Sequence, residues 1–125
     1  MKYSVRAKPR IDKLPRLWAI LNDGTVERQE PDGMEILASM RRAVIVDGEA
    51  RWWETCYCTP PLRHERSTVY DEFFTDMEAK PITNLAPLGG LRFWDYLQEH
   101  SNKASDGNLD GISTTQIKYV PIRIL

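Results

Sequence analysis

The sequence predicts an α+β fold, two β-hairpins in a mixed or antiparallel sheet packed against two to three helices, in the rough order ββ-α-ββ-α-α-β. Three observations predict it. Asn22-Asp23-Gly24 separates the apolar run Leu17–Leu21 from Thr25–Gln29, and Asp47-Gly48 separates Ala43–Val46 from Glu49–Cys58. Turn residues of these types between strand-like runs mark hairpins, because glycine and aspartate accept the positive φ that tight turns require. The third observation is Val69, Phe73 and Met77, which recur at the i, i+4, i+8 spacing of a helix face.

The remaining elements follow from the same signals. Pro31-Asp32-Gly33 punctuates the chain, and Met34–Arg42 reads as a short helix with Ile36, Leu37 and Met40 on one side. Ser67–Met77 reads as a second helix, with Ser67 or Thr68 in position to cap it. A connection rich in Pro and Gly, from Pro81 to Gly90, leads to a third helix from Leu91 to about His100 that buries Trp94 and Leu97. Residues 101–114 read as a polar, flexible loop and Thr115–Leu125 as an edge strand, because Pro121 removes a ladder donor.

The second hairpin fixes its own register. A two-residue turn places Val46 opposite Glu49, Ile45 opposite Ala50, Val44 opposite Arg51, Ala43 opposite Trp52 and Arg42 opposite Trp53. Alternation then sends Trp52 to one face with Ala43, Ile45, Ala50, Cys56 and Cys58, and Trp53 to the other with Arg42, Arg51 and Tyr57. The first face is the expected core, and the second is the expected interaction surface.

A chain of 125 residues, 42% hydrophobic and 28% charged, has the size and composition of one globular domain spanning 1–125. No apolar run is long enough to cross a membrane, and the start of the chain lacks a signal-type apolar core. With only two cysteines, a cytoplasmic protein with reduced thiols is expected. Lys2, Arg6, Lys8, Arg10, Lys13 and Arg16 against Asp12 give residues 1–16 a local charge of +5 in a chain of net charge −1. That stretch reads as a basic arm for an acidic partner, a nucleic acid or the acidic body of the chain itself.

Several groups of residues bear on function. Arg63, His64, Arg66, Ser67 and Thr68 gather guanidiniums, an imidazole and hydroxyls at a helix start, where unpaired amides attract anions or an acidic partner. Cys56, Cys58, His64 and His100 offer zinc-ligand types, but cysteines two apart in a regular strand stand about 7 Å apart, wider than tetrahedral sulfur neighbours. Two core-facing thiols and no metal or other cofactor are therefore expected. Asp106, Asn108 and Asp110 match the first half of a calcium loop, yet Ile117 stands where its bidentate glutamate belongs.

With no assembled catalytic constellation, the expected function is non-enzymatic: an interaction or accessory protein that binds a protein partner through the Trp53 face and the basic helix start. One alternative is nucleic-acid binding by the basic arm and exposed aromatics. The other is a small enzyme whose site gathers His64, Glu65, Arg66 and Asp71. Self-association through edge strands is also expected.

Overall fold

Strict alternation in the first nine residues sets the centre of the sheet. Tyr3, Val5 and Ala7 are buried while Lys2, Ser4, Arg6 and Lys8 face away from the core. The computed structural model describes residues 1–108, with side chains through Ser101. In it, β1 (Lys2–Pro9) lies between β3 (Glu49–Thr55) and β4 (Phe74–Ile82). The five strands run in the order β4-β1-β3-β2-β5, with β2 (Val44–Val46) and β5 (Leu91–Arg92), and every pairing is antiparallel.

Three helices bury apolar stripes against one face of this sheet: α1 (Leu14–Asn22) through Leu14, Leu17 and Leu21, α2 (Gly33–Arg42) through Ile36, Leu37 and Met40, and α5 (Phe93–Asn108) through Phe93 and Leu97. Between β3 and β4 the chain makes a short α3 (Arg63–Glu65), a π-turn (Arg66–Tyr70) and α4 (Asp71–Phe73). Trp52 is fully buried at the middle, with ring centroids 5.3 Å from Tyr70 and 5.4 Å from Phe74. The result is an α+β, two-layer arrangement around one continuous core.

The second hairpin has the expected register, Val46↔Glu49, Ile45↔Ala50 and Val44↔Arg51, and it sends Trp52 inward and Trp53 outward. The first hairpin is corrected. Residues 17–21 belong to α1, and Asn22-Asp23-Gly24 terminates that helix instead of turning a hairpin: Asp23 is the C-cap and Gly24 follows at φ +90°.

The basic stretch 1–16 is likewise no arm, since β1 pairs along both of its edges. The helix expected over Ser67–Met77 ends at Phe73, after which β4 begins. Residues 101–108 continue α5 instead of forming a loop, so Asp106 and Asn108 of the calcium-like motif stand on a helix backbone. Asp110 and the expected strand over Thr115–Leu125 lie outside the described residues.

Candidate functional site

β3 stops at Thr55, and this local break assembles a site that a continued strand would pull apart. Beyond it the chain turns back through Pro60 and Pro61, so that the Sγ atoms of Cys56 and Cys58 and a carboxylate oxygen of Glu65, from α3, lie within 4.8 Å of one another. The Glu65 Oε1 accepts from both thiols, at 3.6 Å from Cys56 and 3.5 Å from Cys58. Cys56 Sγ in turn accepts the backbone amides of Cys58, at 3.2 Å, and of Leu62, at 3.3 Å. Leu62 holds the left-handed conformation, φ 62°, that branched residues avoid. Such strain, of order 1–3 kcal/mol, is characteristic of functional segments.

A second carboxyl lies behind the first. Glu54 faces inward, fully buried; its Oε1 accepts Trp52 Nε1 at 2.8 Å and Tyr70 Oη at 2.7 Å, while Oε2 has no partner. Burial, with Glu65 and Glu35 adding like charge against those hydrogen bonds, pushes the Glu54 carboxyl up to about 8. Burial likewise pushes the Cys56 thiol up to about 12, so without a bound cation this sulfur is no nucleophile at neutral pH. Among the described residues no lysine, arginine or histidine pairs with either Glu54 or Glu65.

On the opposite side of the sheet, β1, β3 and β4 present Lys2, Ser4, Arg6, Arg51, Trp53, Thr55, Glu78 and Lys80. Apart from the α2 side chains Arg42 and Glu35 at Trp53 and Thr55, no described helix covers these residues, and Ser4, Arg6, Glu78 and Lys80 line a shallow depression. Trp53 is half-buried, with the Arg42 guanidinium 4.0 Å and the Lys2 ammonium 5.9 Å from its ring centroid. Arg6, Lys8, Arg42 and Arg51 are ion-paired with Glu78, Asp76, Glu35 and Glu49. Signs therefore alternate across the face, with cations in the majority.

The structure brings Arg42, Arg51 and Trp53 onto this surface, while Tyr57 stands apart on the Cys56–Cys58 turn, 86% exposed. The residues expected around the helix start separate by role. Ser67 Oγ and Thr68 Oγ1 donate to the His64 carbonyl, at 3.0 and 2.9 Å, and cap no amide. Arg66 pairs with Asp71, Arg63 donates to the Thr59 carbonyl, and His64 Nδ1 lies 2.8 Å from Asp32 Oδ2. His100 lies away from the thiols, on α5, against the ring and carbonyl of Tyr96.

Sequence reasoning missed Glu54, Tyr70 and the sheet-face Lys80, and it placed Lys2 on a basic arm instead of on a strand of this face. Glu54 did carry a signal: it occupies an inward position of a strand, between Trp52 and Cys56, where a carboxylate is out of place. Comparison with known proteins found no matching family, no matching curated relative and no matching solved structure.

Proposed function

We propose that this chain is a small binding protein whose open sheet face takes a segment of a protein partner with net acidic charge. The observation that carries the reading is a sheet face over which no described helix packs, with a half-buried tryptophan flanked by arginine and lysine. Tryptophan and arginine dominate protein-binding hot spots. A face where cations outnumber acids and alternate with them matches a protein surface better than a phosphate backbone, which calls for an unbroken basic track. The stacked Arg42 also occupies the tryptophan ring that a nucleobase would need. Arg63 and Arg66, exposed but tied to Thr59 and Asp71, enter the reading only as a second basic surface.

Amide shifts of isotope-labelled protein test this with three probes: acidic peptides, a basic peptide and single-stranded RNA. Acidic peptides are expected to move Lys2, Ser4, Arg6, Arg51, Trp53 and Lys80, and to lose their effect on the Lys2→Glu, Lys80→Glu variant. Tighter, steeply salt-dependent RNA binding on the same residues would replace the reading with the nucleic-acid one, and an unmoved face with every probe would end it.

A further inference from the structure

We propose that Cys56, Cys58 and Glu65 form a binding site for a thiophilic divalent cation of the zinc class, separate from the sheet face. Bond lengths of about 2.3 Å to sulfur and about 2.1 Å to carboxylate oxygen put tetrahedral neighbours about 3.6 Å apart. The two sulfur-to-oxygen separations, 3.6 and 3.5 Å, match that edge before any ion enters. Two of the three edges are thus already set, and the third, sulfur to sulfur, lies within 4.8 Å, against the roughly 3.8 Å that two zinc–sulfur bonds span.

Three further features suit a cation. The amides of Cys58 and Leu62 donate to Cys56 Sγ and stabilise the charged thiolate over the thiol, as the outer shell of a metal thiolate does. Leu62, which supplies the second of them, holds the left-handed φ of 62°. Glu65 is buried, and among the described residues no cationic side chain pairs with it. A buried carboxylate of this kind is costly unless paired or bound to a metal.

The donor set also selects the ion. Two sulfurs disfavour calcium and magnesium, which take oxygen ligands, and suit zinc or a similar soft-to-borderline metal. Binding converts two thiols to thiolates and releases two protons, with no change in oxidation state. Three protein ligands leave a fourth position for an exogenous donor, and half-buried Cys58, under exposed Tyr57, is the side from which solvent reaches the cluster.

Cobalt(II) is the probe, added to untagged, reduced protein. The expected result is one cobalt per chain, with thiolate-to-metal charge transfer, a tetrahedral ligand-field spectrum, release of two protons and displacement by zinc. Cys58→Ser and Glu65→Gln should each weaken binding by more than the ~10–100-fold that loss of an outer-shell partner costs. His100→Gln should change nothing. Cys58 is only half-buried, so Cys58→Ser keeps the test open if a core variant fails to fold. Absent charge transfer, or cobalt affinity unchanged in folded Cys58→Ser and Glu65→Gln, overturns the proposal; so does a Cys56–Cys58 disulfide whose reduction restores no binding.

Discussion

The Arg42 side chain holds Trp53 twice, by its guanidinium 4.0 Å from the indole centroid and by Nε donating to the Trp53 carbonyl at 3.0 Å. The second contact explains how β3 outlasts its neighbour. β2 pairs with β3 only from Glu49 to Arg51, so the remaining edge of β3 has no strand beside it. Arg42 and Glu35, from the two ends of α2, take that place: Glu35 Oε2 accepts the Thr55 amide at 2.9 Å and the Arg42 guanidinium at 2.7 Å.

Removing this pair should therefore act on the sheet and not merely on a surface charge. Arg42→Ala is expected to cost about 2 kcal/mol, in the range of hydrogen bonds to charged groups, and to expose Trp53. Urea unfolding together with tryptophan emission checks both. A double-mutant cycle with Glu35→Gln should return a coupling of about 1 kcal/mol or more, whereas independent action would give additive effects.

The edge at β4 makes a different case. A nine-residue outer strand is a template for a second copy, but this one is interrupted where the register shifts between Arg6 and Lys8, opposite a left-handed Asp76, and it carries Lys80-Pro81 just before its last residue, Ile82. Bulge, lysine and proline are the devices that keep edges from pairing. Lys80→Val with Pro81→Val is expected to raise self-association, measured by sedimentation velocity over a concentration series, above that of the parent chain.

Gly33 illustrates a packing constraint at the start of α2. A Cβ built there would collide with the Val26 carbonyl oxygen and lie 3.1 Å from that of Glu27, both backbone atoms with little freedom to retreat. Gly33→Ala should lower stability by about 1–3 kcal/mol, the usual cost of overpacking, despite alanine's better helix propensity. Thermal unfolding measures it, and an unchanged or raised midpoint would show that the 25–32 segment yields.

The second hairpin was legible because a two-residue turn leaves one register open to a strand with a single apolar face. The first was misread because glycine after a polar pair serves two ends equally, a hairpin turn or a helix C-terminus. The discriminating residue was Leu14, which makes Leu14, Leu17 and Leu21 a helical stripe. In residues 1–16 the density of charge hid the period-two pattern of Tyr3, Val5 and Ala7. The cluster at Cys56 was illegible for a geometric reason: a strand carried through to Cys58 separates the sulfurs, and only the break after Thr55 and the return of α3 bring Glu65 between them.

The buried Glu54 makes stability depend on pH, with a sign opposite to that of a salt-bridged carboxylate. In the unfolded chain the group loses its proton near 4.5, whereas in the fold it keeps it to about 8. The protonated carboxyl is therefore fully accommodated below pH 4.5, and its contribution is lost as pH rises toward 8, by about 1.4 kcal/mol per unit at most. Unfolding with chelator present, so that no cation holds the carboxylate charged, should show stability falling through that window. Glu54→Gln should flatten the fall. Tyr70→Phe removes a hydrogen bond that lowers the Glu54 pKa in the fold and should extend the window at its upper end, at a cost of about 1–2 kcal/mol in stability. A Glu54→Gln variant as pH-sensitive as the parent would show that another group sets the slope.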